Sequence, residues 1–190
     1  DFTVALPNPL YDQPITLPAL WIYEGAVADL GTSQINCGAF DAHPLSAVSA
    51  VDADITLGSG YNFFHASHQF GTVKFARGQT YEIRGSSEFS AIELVGVSAA
   101  TTIKFQGDTT TTLTGANPLP SGDAGGQVSL LGVPNYEEGG SGSTLWNVVK
   151  ADGFVLVDYV TIQDSQASGG ASFLAGPNSV DAGGNSGWGF

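Results

Sequence analysis

His65-Ala66-Ser67-His68 sets two imidazoles three residues apart beside the aromatic run 61–64, and His43 adds a third upstream. Drawn into one turn, these rings could ligate a metal. Structural zinc takes four ligands of the Cys or His type, however, and Cys37 is the one thiol in the chain. The pattern is read as core aromatics with histidines at a loop edge, and no metal centre of this kind is expected. Asn178, Asp181 and Asn185 carry side-chain oxygens in a Gly-rich stretch and are the candidate calcium ligands, because a hard cation suits oxygen donors in an acidic chain. Their spacing is not that of an EF-hand loop. Carboxylates also recur at Asp152, Asp158 and Asp164, six residues apart, while Asp52 and Asp54 share one side of a strand. Glycoside hydrolysis needs two carboxylates flanking a bond. Spacing this ordinary suits aspartates that accept turn amides at strand ends instead. No Ser-His-Asp order, phosphate loop or nucleotide fingerprint occurs. No catalytic residue is therefore assigned, no enzyme activity is expected, and calcium is the one candidate cofactor.

The chain that must position these groups has 190 residues, with 18 acidic and 5 basic side chains and a formal charge of -13. Charged residues make up 12%, about half of the roughly 25% usual in soluble domains. With 42% hydrophobic residues and 11 Phe, it can bury a core, which excludes general disorder. So acidic a chain has no basic patch to displace counterions from nucleic acid, nor to hold it on anionic lipid. No apolar run approaches the roughly 18 residues of a membrane span, so no insertion is expected. A lone cysteine forms no disulfide framework and is expected as a small buried apolar residue. The chain opens at Asp1 and contains no methionine, a start that either a cleaved secretory signal or an artificial boundary produces. An extracellular or cell-surface location is expected, with a virion surface as the alternative.

Short strands dominate from about Asp52 onward: 54–57, 72–75, 81–84, 92–95, 102–105, 127–130, 154–157 and 159–162. Most alternate apolar with polar residues between Gly, Asn or Asp turns. The stretch 39–51 is the nearest to a helix and contains Pro44. The chain is thus all-β. Thr72-Val73-Lys74-Phe75, then Thr80, Ile83 and Gly85, matches Thr102-Ile103-Lys104-Phe105, then Thr110, Leu113 and Gly115, every pair at the same offset. A fixed period of this size marks stacked units. It predicts a parallel coil with Val73 on Ile103 and Phe75 on Phe105 inside, and Lys74 and Lys104 outside. The alternative is an antiparallel β-sandwich, which regular strand spacing also supports.

The segment 157–171, with Asp158-Tyr159, Asp164-Ser165 and Gly169-Gly170, leads to the ending Gly176-Pro177-Asn178 through Asn185-Ser186-Gly187-Trp188-Gly189-Phe190. Over about residues 100–190 the chain resembles right-handed β-helix-like domains of bacterial surface and secreted proteins and of phage structural proteins. The resemblance implies a right-handed parallel β-helix-like coil in a surface or virion setting, and it carries no catalytic signature. The insertion 134–143 departs from that pattern.

Prolines at 7, 9, 14 and 18 interrupt the opening segment, so it is read as an extended arm. The expected organisation is an arm or assembly segment over 1–50 and a β-helix-like domain over 51–190. The arm's apolar residues Phe2, Val4, Leu6, Ile15, Leu17 and Trp21 would pair with a neighbour or, as the alternative, fold back on the arm's own domain. The expected function is a non-enzymatic structural subunit of a filament, surface layer or virion component, contacting copies of itself or other subunits. A glycan- or receptor-binding module, using exposed aromatics such as Trp21, Tyr23 or Trp146, is the second reading. A carbohydrate-active enzyme is the third.

Overall fold

Asp54-Ile55-Thr56-Leu57 shows in miniature how the chain folds. Alternation with period 2 sends Ile55 and Leu57 to one side of a strand and Asp54 and Thr56 to the other. Both apolar members are fully buried. The computed structural model describes residues 3–5, 15–43, 45–58, 63–135 and 142–190, and no helix occurs among them. In chain order the strands begin with β1 (Thr3–Ala5), β2 (Ile15–Leu17), β3 (Leu20–Ile22), β4 (Val27–Asp29), β5 (Gln34–Cys37), β6 (Phe40–Ala42) and β7 (Ala47–Ser49). There follow β8 (Asp54–Leu57), β9 (Phe63–His65), β10 (Gln69–Ala76), β11 (Thr80–Arg84), β12 (Ser87–Val95), β13 (Thr101–Gln106) and β14 (Thr110–Leu113). The last are β15 (Val128–Val133), β16 (Trp146–Lys150), β17 (Phe154–Val157), β18 (Val160–Gln163), β19 (Ser165–Gly169), β20 (Ser172–Ala175), β21 (Val180–Asp181) and β22 (Trp188–Gly189).

Every ladder between these strands is parallel, as in β5 on β8 and β13 on β15. One eight-stranded sheet stacks β3, β6, β9, β11, β13, β15, β18 and β21. The other stacks β2, β5, β8, β10, β12, β14, β16 and β19. Three-stranded sheets β1-β4-β7 and β17-β20-β22 lie towards the two ends. The architecture is that of a right-handed parallel β-helix-like coil, and the parallel ladders exclude the sandwich. One strand per coil in the first sheet gives eight coils, a shaft about 34 Å long at about 4.8 Å per strand spacing.

The cross-section has three sides because β10 and β12 turn a corner. Phe70, early in β10, bridges to Ala50 just after β7, whereas Val73 of the same strand pairs with Ile55 of β8. Gly71 occupies the bend, where a Cβ would collide with the Val51 carbonyl. The side that carries β8 and the later halves of β10 and β12 is interrupted before β17. There Ile92 N donates to the Pro118 carbonyl at 2.9 Å, but Pro118 and Pro120 have no N–H to continue the ladder.

The interior is a set of stacked columns. Leu20, Phe40, Phe64, Ile83 and Phe105 follow one another in register on one side. The Phe40 and Phe64 rings lie 4.9 Å apart and nearly parallel, and Phe64 meets Phe70 edge-on. Phe105 stacks on Trp146 at 3.9 Å. Cys37 is buried as expected, and burial pushes its thiol up to about 11. Iodoacetamide is therefore expected to leave Cys37 unmodified in the folded protein at pH 8 and to label it fully in denaturant, as mass spectrometry would show.

Two expectations need correction. Val73 does not lie on Ile103: its ladder partners are Ile55 and Ile92, while those of Ile103 are Tyr81 and Leu130. Likewise Phe75 pairs with Leu57 and Leu94, and Phe105 with Ile83 and Gly132. The coil length is set by Ile35, Ile55, Val73 and Ile92, each the ladder partner of the one before. The offset from Val73 to Ile103 exceeds one such coil by a corner, so the two matching segments lie on different sides. They look alike because each side of the coil imposes the same alternation. The second correction concerns residues 15–50. They are not an extended arm but the first coils, with Ile15, Thr16 and Leu17 paired to Ile35, Asn36 and Cys37, and β5 paired in turn to β8. Proline at 18 marks a corner there, which is compatible with coiling because a corner needs no ladder donor.

Candidate functional site

On the outer side of the first eight-stranded sheet, register brings together residues far apart in sequence. Trp21 pairs with Asp41, Asp41 with His65, and His65 with Arg84. Each belongs to a successive strand, β3, β6, β9 and β11, so the four form a column about 14 Å long at about 4.8 Å per step. Trp21 is 46% exposed and Tyr23, just beyond it, is 74% exposed. His65 Nδ1 lies 3.3 Å from Asp41 Oδ1. Arg84 Nε donates to Glu82 Oε1 at 2.7 Å, and Glu82 in turn stands beside Lys104. Trp21, two carboxylates, an imidazole and two cations thus share one side of the sheet. Lys74 and Lys104 are not neighbours: Lys74 reaches Asp54 at 2.8 Å between Thr56 and Glu93.

His43 and His68 do not join His65 in a metal site. His68 Nε2 lies 3.2 Å from Ser46 Oγ and 3.3 Å from the His43 carbonyl, whereas His43 Nδ1 accepts the Leu45 amide at 3.2 Å. The candidate calcium ligands separate into two knots. Asn178 is bound to Asp158, its backbone N and its Nδ2 each donating to the carboxylate at 3.0 Å. Asn185 Nδ2 donates to Asp181 Oδ1 at 2.6 Å and to the Ile162 carbonyl at 2.7 Å, while Asn185 Oδ1 accepts Ser165 N at 3.0 Å. Carboxylate and amide oxygens turned towards amide hydrogens do not converge on a cation. These contacts, with Trp188 Nε1 donating to Ser165 Oγ at 3.0 Å, close the last coil.

Asp158 behaves as an aspartate that accepts turn amides. The Asn178 amide, followed by the Tyr159 and Asn178 backbone N–H groups and the Ser179 hydroxyl, holds its carboxyl below the usual range against a smaller opposing effect of burial. The neighbouring Tyr159 has φ 53°, a left-handed conformation rare for a bulky residue. At the next corner Asp164 itself has φ 56°, and its Oδ2 accepts the Gln163 side-chain amide at 3.4 Å. Asp152 and Asp52 are exposed.

A second surface lies near the C-terminal end, on the side built by β17 and β20. Alternation in β17 buries Val155 and Val157 and turns Phe154 and Leu156 outward, and β20 likewise buries Phe173 and turns Leu174 outward. Phe154, Leu156 and Leu174 are 59%, 58% and 43% exposed. Leu156 and Leu174 are register partners, and with Ser121, Asp158, Ala175 and Gly176 they line a shallow groove of about 340 Å3. Gly176 is required there, because a Cβ would come within 2.6 Å of Asp158 Cγ.

Of the expected assembly residues, Phe2 and Leu6 lie outside the described residues. Val4 sits in β1 opposite Ala28. Ile15 and Leu17 are half-buried in β2, and Trp21 is exposed in β3. The expected platform residue Trp146 is fully buried and offers no surface to a ligand. Compared with protein-family models, curated proteins and solved structures, the chain finds no match in any of the three. The Trp21–Arg84 column escapes a linear reading because each of its members lies a whole coil from the next. The signal that points to it is the coil period, which Ile35 and Ile55 already carry.

Proposed function

We propose that this chain is a non-enzymatic structural module of an extracellular or surface assembly, a rigid shaft that copies of itself join laterally and at its ends. The observation that supports this reading is the outward apolar patch formed by Phe154 and the register pair Leu156 and Leu174 on a parallel sheet. A solvated sheet side ordinarily alternates to polar residues, as the Thr56, Lys74 and Glu93 column does on the same side. Half-exposed side chains of this size gain about 1 kcal/mol each on burial. A twofold contact between two such faces therefore gains about 6 kcal/mol, near the low end of the cost of association. Strand contacts at the first coil, where β2 and β3 are edge strands among the described residues, would supply the remainder.

The charge of -13 opposes contact between copies, and salt screens that repulsion while leaving apolar contact intact. Sedimentation velocity is expected to show association that rises with protein concentration and with sodium chloride. The double substitution Leu156→Asp and Leu174→Asp is expected to abolish it, with a thermal melt within about 0.5 kcal/mol of the parent, as for other exposed positions. A parent chain that stays monomeric at high salt, or a double variant that still associates, would count against this face.

A further inference from the structure

We infer that the lateral contact is made by two copies of this chain running in opposite directions, Leu156 of each lying over Leu174 of the other. This rests on the assembly reading and names the geometry of its lateral contact. Only the coils that carry β17 and β20 overlap, and the early coils of the two copies point apart.

Two sheets that pack face to face across a twofold axis have two arrangements. An axis along the shaft keeps the shafts parallel and reverses the strands. Centred on Leu156 and Leu174, it lays Leu156 on Leu156 of the other copy. Phe154, two residues before Leu156, then meets Asp158, two residues after it. An axis along the strands reverses the shafts and keeps positions along the strand. Leu156 and Leu174 are register partners, as are Phe154 and Ser172. This second axis therefore lays Leu156 on Leu174, and Phe154 on Ser172, of the other copy.

Chemistry separates the two. In the parallel pair the exposed Phe154 ring would cover the Asp158 carboxylate, which Asn178 holds below the usual range and so charged at neutral pH. Covering an ionised group without giving it a new partner is unfavourable. Every coil on this side would also meet its own counterpart, so that Lys74 would approach Lys74 and Glu93 would approach Glu93. Like charges set together oppose pairing. The first 73 residues hold seven carboxylate side chains and no lysine or arginine, and these acidic halves would lie alongside each other. The antiparallel pair avoids all three. It joins four leucines at the centre, sets each large ring over a small serine, and leaves Lys74, Glu93 and the acidic coils outside the overlap. A contact of two or three coils belongs with weak encounters, below about 1,200 Å2, so the pair separates on dilution.

The test is complementation between two variants of the whole chain, followed by sedimentation velocity in sodium chloride. Leu156→Lys and Leu174→Asp should each, alone, weaken association at least tenfold. Mixed in equal amounts, they should associate to within about threefold of the parent, because the lysine of one then faces the aspartate of the other. Circular dichroism checks that each variant is folded. A second measurement reads direction by energy transfer between donor- and acceptor-labelled copies carrying Asp29→Cys or Ser168→Cys. Both positions are exposed, whereas Cys37 is buried. Transfer should be strong between labels at 168 and weak between labels at 29. A parent that associates, with a mixture that does not or with equal transfer at both positions, would overturn the antiparallel pair and leave the assembly reading standing. A parent that stays monomeric at every salt concentration would overturn both.

Discussion

Trp146→Ala is expected to destabilise the protein by about 3–5 kcal/mol, the range for deleting a large buried aromatic. The ring is fully buried and lies 3.9 Å from Phe105 at an interplanar angle of 9°. Its Nε1 donates to the Gln163 carbonyl at 3.2 Å. Alanine therefore removes a stacked pair, opens a cavity across the interior and leaves one carbonyl without its donor. For a chain of this length the loss corresponds to a fall in Tm on the order of 10 °C. Trp146→Phe keeps a ring on Phe105 and loses the hydrogen bond, so a cost of about 1–2 kcal/mol is expected. Thermal denaturation followed by circular dichroism checks both. An alanine variant within about 1 kcal/mol of the parent would mean that the ring does not bridge the two sides of the coil.

Trp146 also shows where sequence reading stops. Thr144-Leu145-Trp146 follows an insertion rich in Gly, Ser and Glu, and an aromatic beside such a loop looks like a surface platform. It is buried because Asn147, not Trp146, takes the outward position in β16, and only strand phase decides that. Strand phase is otherwise the best-preserved message in the chain. The segments 54–57 and 154–157 coincide with β8 and β17, and 72–75, 81–84, 92–95 and 102–105 fall within β10, β11, β12 and β13. Alternation is local, so it survives reading in one dimension. Coil length is not local. Insertions at corners stretch the step from Phe89 to its partner Leu113, and more so that from Thr111 to Val148, beyond the step from Ile35 to Ile55. Uneven steps of this kind hide the period. Residues 15–50 escape the expected coil for a related reason: their strands are three or four residues long, too short for alternation to stand out. The Trp21–Arg84 column is hidden because its members are neighbours only across coils. The ending is easier to place. Its Asn and Asp residues cluster because they make the contacts that hold residues 178–185 on the corners at Asp158 and Ser165.

Ile103→Asp and Val73→Asp are each expected to prevent folding near neutral pH. Both side chains are fully buried, flanked above and below by Tyr81 and Leu130 in one case and by Ile55 and Ile92 in the other. An ionised carboxylate placed there has no partner and costs several kcal/mol, against a total stability of about 5–15 kcal/mol for a domain. The outward neighbours give the contrast. Lys74→Ser breaks a partly exposed contact with Asp54 at 2.8 Å, worth at most about 1 kcal/mol. Lys104→Ser removes a charge from a solvated column beside Glu82 and should cost no more. The pH dependence of the aspartate variants separates buried charge from lost packing. A buried carboxyl has its pKa raised, so its destabilising effect grows as pH rises above the unfolded carboxyl value and fades below it. The parent behaves in the opposite sense. Asp123, held low by the Ser98 hydroxyl and the Gly125 amide, and Asp158, held low by Asn178, stabilise the fold above the unfolded carboxyl pKa, and that contribution is lost as pH falls through their lowered values. Ile103→Asp should therefore lie closest to its parent in stability at about pH 4 and diverge from it towards pH 7, measured by denaturant titration at each pH. Equal tolerance of Ile103→Asp and Lys104→Ser at pH 7 would show that the alternation in β13 does not separate an interior from a solvated side.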